Sequence, residues 1–464
     1  MSKSIATELA EYCVGLSSSD LTDDEIDYTK KLLLDTLGTA VGGYEWSDSA
    51  EVMTGIARRL DGDAGNGGAT LLATGERLAP ENAALANGAL SHSLDYDNRH
   101  SPGSLHIGSS VIPAALAAAE VADADGTTLL EGIIAGYDVA ARLGMACNPR
   151  SSHERGFHPT GTCGTFAATA AAGVVSGLDA DDLVTAFGVN GSQASGGYQC
   201  SVSGGWNKRL HPGLAARDAF LAIAAAESGF EGPPDPIEGE LGFLRAYADR
   251  PRPERMTDEL GEVFEATRTK IKPYPVGTFA HVPIALLIEV VEEYELDPES
   301  ITELVVELPT SGAAMFGRDG PDDHPTTSAG AQFDMPFAAA LAVTRREAGL
   351  GAFDAAIGDE YGGPFAHVMA VTRTVGSDEL ESYLPALYPA RVTVHTTDTT
   401  IERFREWVRG EPSHPMTWDG IRGKFADLTP RFEDATRAAV VEEVRSIEES
   451  SGRSLVEAVR SAGE

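Results

Sequence analysis

Residues 156–175, GFHPTGTCGTFAATAAAGVV, point to the fold class of this chain, because a His-Pro start is followed by a long run of small residues. Alanine and glycine allow helices to approach each other closely. The same composition recurs in SVIPAALAAAEVADADG (110–126) and TTLLEGIIAGYDVAARLGMAC (127–147). These runs are interrupted or too short to span a bilayer. We therefore predict closely packed helices from the N-terminus to about residue 260.

The pattern changes after two stretches rich in proline, glycine and charge, at 231–242 and 249–261. Short β-branched runs follow, separated by helical segments; they are ATRTKIK (266–272), ITELVVELP (301–309), HVMAVTRTV (367–375) and ARVTVHTT (390–397). From residue 416 the pattern is helical again. We predict a mainly α protein, with a helical domain at 1–265 together with 401–464 and a smaller α+β domain at 266–400.

The charge of the chain excludes several classes of partner. Its 464 residues include 71 acidic and 35 basic ones, for a net charge of -36. Such a surface repels nucleic acid and anionic membranes, so we expect neither as a partner. Acidic residues are spread along the whole chain, whereas lysine stands only at positions 3, 30, 31, 208, 270, 272 and 424. This composition is typical of a protein that works at high salt, where charges are strongly screened.

The N-terminus and the cysteines suggest where the protein works. Acidic residues interrupt the N-terminal sequence, which lacks the continuous apolar stretch of a secretory signal. The four cysteines have neither zinc-site spacing nor the density of a disulfide scaffold. We expect a soluble, cytoplasmic protein whose cysteines are buried small residues.

Two histidines share a local design that suits an anion site. In GFHPTG and KRLHPG, His158 and His211 each precede a proline at the start of a predicted helix. Proline suits the first helical turn, and Thr160 or Thr162 could cap the first of these helices. If both helix starts faced one cleft, a cationic cluster would form that could bind carboxylates; its members would be Lys208, Arg209, His158 and His211. The alternative is that both His-Pro pairs are simple helix caps.

A third segment, SHSLDYDNRHSPGSLHIGSS (91–110), adds carboxylates to histidines. A metal site is one interpretation, but the spacing matches neither HExxH nor an adjacent His-Asp pair. Without a metal, a carboxylate such as Asp95 can fix the tautomer and orientation of a catalytic imidazole. We therefore favour a site that holds no metal.

These residues belong to a set of motifs that resembles the MmgE/PrpD family. The motifs are NGALSHSLDYDNRH, GYDVAARLG, RGFHPTGTCGTFAATAAAGVVSGLDADDL, GSQASGG, NKRLHPGLAAR, IEGELGFLRAY, IKPYP, AQFDMPFAAALAV and PARVTV. They run in family order along nearly the whole chain. The family includes 2-methylcitrate dehydratase, cis-aconitate decarboxylase and an iminodisuccinate epimerase, so the resemblance is specific for family and not for substrate.

The resemblance implies a helical domain built from both ends of the chain, an inserted α+β lid, an active site between the two, and a homodimer. Carried over position by position, the family's active-site residues fall on Asp95, His106, His158, Lys208 and Lys272. We add as candidate substrate-binding residues Arg99, Arg209, His211 and His281.

Two positions depart from the family pattern. Arg99 stands where the family often has threonine, and it could contact a substrate carboxylate or form a surface salt bridge. Gly277 stands where the decarboxylase has histidine, five residues after the lysine of IKPYP, which argues against decarboxylation of cis-aconitate.

The chemistry implied by the resemblance explains these residue types. Removing a weakly acidic C–H proton beside a carboxylate builds charge that Lys208 and Lys272 could stabilise, while His106 and His158 serve as base and acid in an order that the sequence leaves open. We expect a carbon–oxygen lyase that dehydrates 2-methylcitrate or a related hydroxy-tricarboxylate. The alternatives are a decarboxylase or epimerase acting on a similar polycarboxylate, and a carboxylate-binding protein without turnover.

Overall fold

Helices make up most of this computed structural model, which describes residues 3–62, 68–317, 325, 327–358 and 362–463. The helices are α1 Ile5–Gly15, α2 Asp23–Trp46, α3 Ala50–Asp61, α4 Pro80–Ser91, α5 Gly108–Ala122, α6 Gly126–Ala146, α7 Pro149–Glu154, α8 Pro159–Ser176, α9 Ala180–Gln193, α10 Cys200–Ser203, α11 Asn207–Glu227, α12 Phe243–Tyr247, α13 His281–Tyr294, α14 Thr310–Phe316, α15 Ser328–Ala331, α16 Met335–Arg345, α17 Leu350–Gly358, α18 Gly363–Val371, α19 Asp378–Glu381, α20 Trp418–Leu428, α21 Asp434–Arg445 and α22 Gly452–Gly463. The prediction of a mainly α protein is confirmed.

The strands are shorter and fewer. They are β1 Ala69–Thr70, β2 Arg77–Leu78, β3 Arg99–His100, β4 Thr269–Lys270, β5 Ile301–Pro309, β6 Thr372–Ser377, β7 Ala390–Thr396 and β8 Thr400–Arg405. Two antiparallel ribbons, β1 with β2 and β3 with β4, are only two residues long on each side. The last four strands form one sheet in the order β6-β5-β7-β8.

The chain forms two compact units, Met1–Ile271 with Thr417–Glu464, and Lys272–Met416. The first contains α1–α12 and α20–α22, and its centre is α8, which packs against α5, α6 and α11. Every residue of α8 from Pro159 to Gly173 is buried. This explains why the segment is built from alanine, glycine and threonine, since larger side chains would hold the neighbouring helices apart.

Helices α4 and α11 approach each other most closely at a pair of glycines. A Cβ on Gly88 would lie 2.9 Å from the Cα of Gly213, and a Cβ on Gly213 would lie 2.2 Å from the backbone oxygen of Leu85. No side chain fits at such distances. The contact matters for function because α11 carries Lys208 and α4 leads directly into the loop that carries Asp95.

The second unit is built on the four-stranded sheet. Strand β5 pairs in parallel with β6 and antiparallel with β7, which pairs antiparallel with β8. Helices α13, α16 and α18 pack with these strands around a core that contains Leu304, Phe337 and Val392. The unit reaches Met416, beyond the predicted limit at residue 400, because β8 begins at that residue, continues to Arg405 and pairs with β7.

Two of the four predicted strands differ from the structure. HVMAVTRTV is helical up to Val371 and becomes strand β6 only at Thr372. The preceding Gly-Pro pair begins α18, since proline suits a first helical turn. ATRTKIK forms a 3-10 turn, Glu265–Arg268, and then the two-residue strand β4, which pairs with β3 in the first unit.

Candidate active site

The loop between α4 and α5 carries the carboxylates and histidines of SHSLDYDNRH. It begins at His92, which ends α4, and it turns at Asp95, whose φ of 50° is left-handed. Aspartate is among the few residues that tolerate this conformation. Asp97 lies two residues further on, and the two acidic side chains make different contacts.

Asp97 joins two histidines. Its Oδ2 lies 2.8 Å from Nδ1 of His92, and its Oδ1 lies 3.2 Å from Nδ1 of His106. The hydroxyl of Ser109 donates a further hydrogen bond of 2.9 Å to Oδ2. Burial by itself would raise the pKa of the Asp97 carboxyl, but His106 and His92 hold that pKa well below its usual range. Asp97 is therefore a buried carboxylate, and each histidine presents Nδ1–H to it and keeps Nε2 as the basic nitrogen.

The role predicted for Asp95 thus belongs to Asp97. Asp95 Oδ1 instead accepts a hydrogen bond of 2.8 Å from Nζ of Lys208, the second residue of α11. Burial lowers the pKa of Lys208, but Asp95 more than offsets this and the pKa is raised. The ammonium is therefore charged, and its side chain remains 27% exposed. The Lys208 ammonium is thus a cation that Asp95 holds against the loop between α4 and α5.

His158 and His211 form the second histidine pair. Their Nδ1 atoms lie 3.0 Å apart, so one imidazole donates its Nδ1 proton to the other. The ring centroids of His92 and His158 lie 5.8 Å apart, and those of His92 and His106 lie 4.7 Å apart. The four imidazoles, His92, His106, His158 and His211, are therefore contiguous, and we call them the histidine cluster.

Most of the cluster is uncharged at neutral pH. Burial is the main cause that lowers the pKa of His92, that brings the pKa of His158 well below its ordinary value, and that lowers the pKa of His211 to about 4. The ammonium of Lys208 acts in the same direction on each of them. Neutral imidazoles next to a fixed cation are suited to receive a polyanion and to accept protons from it.

Two details of the predicted helix starts are wrong. His158 itself stands at the N-cap of α8, and the hydroxyl of Thr160 instead accepts a hydrogen bond of 3.1 Å from the backbone N–H of His106. Helix α11 begins at Asn207, so His211 and Pro212 lie inside it. Of the predicted cationic residues, Lys208 and Arg209 lie in the first turn of that helix.

Arg99 lies on β3, which is part of the loop between α4 and α5. Its guanidinium donates hydrogen bonds of 3.2 and 3.1 Å to the hydroxyls of Ser101 and Ser104. The Ser104 hydroxyl in turn lies 3.3 Å from Nε2 of His153. Burial, and then the charge of Arg99, lower the pKa of His153 to about 4. This group is cationic and polar, and it can accept a carboxylate.

Arg209 is committed elsewhere. Its guanidinium pairs with the carboxylate of Asp48, donates to the hydroxyls of Ser47 and Ser49, and lies over the ring of Trp206. These contacts attach α11 to the segment between α2 and α3. They identify a structural anchor where the sequence suggested a substrate ligand.

The remaining predicted residues belong to the second unit. Lys272 is 1% exposed, and its Nζ lies 3.4 Å from the backbone oxygen of Val276. His281 begins α13, is 1% exposed, and has its ring 6.1 Å from that of Tyr274. A Cβ on Gly277 would lie 2.5 Å from the ring of Phe316 and 2.8 Å from the ring of Phe333. These phenylalanines occupy the space that a side chain at position 277 would need.

One group in the described part of the chain has the composition of a metal site. His92, Asp97 and His106 each offer a ligand atom, and these atoms lie within 4.8 Å of one another. Two histidines and a carboxylate suit a divalent transition metal. The same atoms also hold the two imidazoles, through the hydrogen bond between His92 and Asp97 and the 3.2 Å ion-pair contact between His106 and Asp97. Our prediction of a site without metal stays a prediction.

Sequence reasoning missed the pairing of His92 with Asp97. The sequence did show two acidic residues, Asp95 and Asp97, in one irregular loop. Side chains two residues apart in such a loop can point in different directions, so either acid could contact the histidines. Choosing between them required the path of the loop through the left-handed turn at Asp95.

Comparison with known proteins identifies the class to which this fold and site belong. The chain matches the MmgE/PrpD N-terminal domain over residues 7–256 and the MmgE/PrpD C-terminal domain over residues 274–449. The protein belongs to the MmgE/PrpD family.

Its relatives include proteins named for one reaction of this family. It is 27% identical over 474 aligned residues to the cis-aconitate decarboxylase-like protein oryM of Aspergillus oryzae, covering 96% of this chain and 95% of the relative. It is 25% identical to the cis-aconitate decarboxylase of Aspergillus terreus, covering 95% and 92%. The cis-aconitate decarboxylase of Homo sapiens is 30% identical over 254 residues, which cover 54% of this chain and 51% of the relative.

In the part of the chain that the structure describes, no helix is long and apolar enough to cross a membrane.

Proposed function

We propose that this protein is a lyase that acts on a small tricarboxylate without a cofactor, and that it dehydrates 2-methylcitrate or a close hydroxy-tricarboxylate to the unsaturated acid. The observation that carries the proposal is the histidine cluster beside the Lys208–Asp95 pair. It combines neutral bases, a carboxylate that can stabilise one of them in its protonated form, and a fixed cation.

Binding begins with charge complementarity. Lys208 and Arg99 attract carboxylates, while Asp95 is paired with Lys208, and Asp97 with His92 and His106. A bound trianion then raises the pKa of each nearby imidazole, because opposite charge favours the protonated form. The substrate thereby prepares the cluster to donate a proton as well as to accept one.

His106 is the better base. Asp97 lies 3.2 Å from its Nδ1 and stabilises the imidazolium that forms when Nε2 takes the C–H proton. The charge that develops on the neighbouring carboxylate is stabilised by Lys208, an effect of about 3 to 4 kcal/mol for a well-placed donor. The electron pair left on carbon forms the double bond as the C–O bond breaks.

His158 is the better acid. Burial first, and then His92, Lys208 and His211, hold the pKa of His158 well below its ordinary value, so its imidazolium gives up a proton readily once formed. That proton passes to the departing hydroxyl, which leaves as water. His211, hydrogen-bonded to His158 at Nδ1, fixes the tautomer and the ring orientation of the acid.

The family resemblance adds the second unit to the proposal. Lys272 is proposed as a second cation for the developing charge and His281 as a further ligand, with the unit acting as a lid that excludes water. We also propose that the protein works as a homodimer at high salt.

Decarboxylation of cis-aconitate is the second candidate, favoured by the names of the relatives. Against it stands Gly277, which replaces the histidine of the decarboxylase. The rings of Phe316 and Phe333 lie so close to Gly277 that a side chain at this position would require them to move.

The experiment compares reactions directly. The purified protein is incubated at high salt with 2-methylcitrate, with citrate and with cis-aconitate, with and without EDTA, while ultraviolet absorbance follows the conjugated alkene and NMR identifies products. We expect alkene formation from a hydroxy-tricarboxylate, unchanged by EDTA, and its loss in His158→Ala and Lys208→Ala. Carbon dioxide release from cis-aconitate would favour the decarboxylase instead. Binding of these acids without any turnover would show a carboxylate-binding protein and overturn the proposal.

A further inference from the structure

Tyr198 stacks on His158. The two ring centroids lie 4.9 Å apart and the ring planes differ by only 5°. Tyr198 belongs to the loop between α9 and α10, which neither the His-Pro motifs nor the acidic loop include. The same ring also lies 5.6 Å from that of His153, in a tilted arrangement.

The backbone holds this stack in place. The N–H of His158 donates to the oxygen of Gly196 at 2.8 Å, and the N–H of Tyr198 donates to the oxygen of Gly156 at 2.8 Å. Between them, Phe157 and Gly197 form an antiparallel bridge. The loop containing Tyr198 is therefore attached by backbone hydrogen bonds to the segment that ends at His158.

Glycines make the close approach possible. Gly196 has a φ of 153°, which disfavours other residues, and a Cβ there would lie 3.1 Å from the oxygen of His158. A Cβ on Gly161, in the first turn of α8, would lie 2.6 Å from the oxygen of Ser195. The stack thus depends on backbone features of both segments and does not result from a chance contact of two side chains.

The charges around His158 leave its protonated form without a carboxylate. Burial disfavours a positive charge on His158 most strongly, and four neighbours act in the same direction: His92 at the end of α4, Lys208 and His211 on α11, and His106 on the loop before α5. The two nearby carboxylates are paired with other groups, Asp95 with Lys208 and Asp97 with His92 and His106. The face of an aromatic ring carries negative potential and attracts a cation lying over it.

We infer that Tyr198 is a positioning residue that acts through His158, orienting its ring and stabilising its imidazolium form across the stacked faces. The inference rests on the proposed function in one respect, namely that His158 carries a proton during turnover. The aromatic ring of Tyr198, and not its hydroxyl, would stabilise the imidazolium of His158, as the Asp97 carboxylate does for His106.

Three variants separate the ring from the hydroxyl. Tyr198→Phe keeps the ring, Tyr198→Leu removes it, and Tyr294→Leu makes the same change at an exposed tyrosine of the second unit. NMR of histidines labelled with ¹³C and ¹⁵N measures the pKa of each imidazole, with propane-1,2,3-tricarboxylate bound as an unreactive probe. The His158 signal is assigned by its loss in His158→Asn.

We expect the pKa of His158 in the ligand complex to fall by about one unit in Tyr198→Leu, and to change little in Tyr198→Phe and Tyr294→Leu. Near-ultraviolet circular dichroism and Tm verify that each variant is folded. The inference is overturned by an unchanged His158 pKa in Tyr198→Leu, by an equal fall in Tyr198→Phe, or by no protonation of His158 in the wild-type complex over the pH range in which the protein is folded.

Turnover provides a second readout. If the chain is a lyase, kcat of Tyr198→Leu should fall about tenfold at neutral pH, as expected for a one-unit lower pKa of the acid, and recover as the pH is lowered, while Tyr198→Phe follows the wild type. A protein that turns over no substrate but shows the expected titrations refutes the proposed function and leaves the stacking inference intact. A protein with full turnover in Tyr198→Leu at every pH refutes the inference alone.

Discussion

At the scale of single residues, the site divides its work between two carboxylates that lie two positions apart. Asp97 fixes two imidazoles, and Asp95 holds the ammonium of Lys208. The left-handed turn at Asp95 separates the directions of the two side chains. Exchanging an oxygen for an NH₂ group at each position therefore has different consequences.

Asp97→Asn should lower kcat by about a hundredfold or more, because a neutral amide cannot stabilise the imidazolium of His106. Asp95→Asn should chiefly raise KM, because Lys208 loses the partner that holds it in place for a substrate carboxylate. Steady-state kinetics of both variants, with circular dichroism to verify folding, measure the difference. Equal effects of the two changes on kcat and KM would contradict this division of roles.

At the scale of elements, the site is assembled by helices that meet through small residues. Gly213→Ala places a methyl group 2.2 Å from the oxygen of Leu85 and must push α11 away from α4. We expect a loss of about 1 to 3 kcal/mol in stability and a marked fall in activity, since α11 carries Lys208.

The matched control is Gly423→Ala. This glycine is exposed within α20, and a Cβ there meets nothing within 4 Å. Alanine should stabilise the helix by up to about 1 kcal/mol and leave activity unchanged. Thermal unfolding and kinetics of both variants test the contrast, and a neutral Gly213→Ala would show that α4 and α11 can separate without cost.

Helix α20 contacts the loop between α4 and α5 through Lys424. Its ammonium lies 2.6 Å from Oδ1 of Asp35, donates to the backbone oxygen of Tyr96 at 2.7 Å, and lies 3.9 Å from the centre of the Tyr96 ring. Lys424→Met leaves Asp35 as a buried charge without its cation, which should cost about 3 to 5 kcal/mol.

The double variant Asp35→Asn with Lys424→Met should regain part of that loss, because the unpaired charge is removed. Lys31→Met, which breaks a partly exposed pair with Asp27, should change stability by less than about 1 kcal/mol. Urea unfolding of the four proteins tests this. A double variant less stable than Lys424→Met would show that the hydrogen bonds of Asp35 matter more than its charge.

At the scale of the whole molecule, buried histidines should make the fold sensitive to acid. The pKa values of His153 and His211 fall from an ordinary 6.5 to about 4, so below pH 6.5 the unfolded chain binds protons that the folded protein does not. Stability is therefore complete above pH 6.5 and is lost as the pH falls toward 4. Asp138, whose pKa burial raises to about 6, acts in the opposite direction. His92 and His158, whose pKa values are also lowered, add to the acid sensitivity.

Tm measured at constant salt should therefore decrease between pH 6.5 and pH 4.5. His153→Asn should make this decrease shallower, since it removes one of the titrating groups. A Tm that rises over this range would show that the raised pKa of Asp138 dominates.

The net charge of -36 makes a second prediction at this scale. The Debye length shortens from about 10 Å at 0.1 M salt to about 3 Å at 1 M, so self-repulsion of the acidic surface should weaken and Tm should rise over this interval. Thermal unfolding in a KCl series at neutral pH measures the rise. A Tm that is independent of KCl would show that this surface has no need of salt.

The dominance of helices could be predicted from the sequence because small residues recur over long segments. ITELVVELP is the strand β5 as predicted, since it is a short run rich in β-branched residues. HVMAVTRTV was half wrong because a short apolar run suits either a helix or a strand, and only the packing of α18 decides between them. Strand β8 was missed because TIERFR has few apolar residues and is recognised as a strand only through its pairing with β7.

The sequence by itself determined the family, the helical class and the residue types of the site, because motif order, composition and the few lysines are properties of the chain alone. The tertiary structure decided which carboxylate orients the histidines, that His158 pairs with His211, and that Tyr198 stacks on His158. It also showed Arg209 anchoring a helix. Such pairings join segments far apart in the chain, and hydrogen-bond partners within about 3 Å are set by how helices pack and how loops turn.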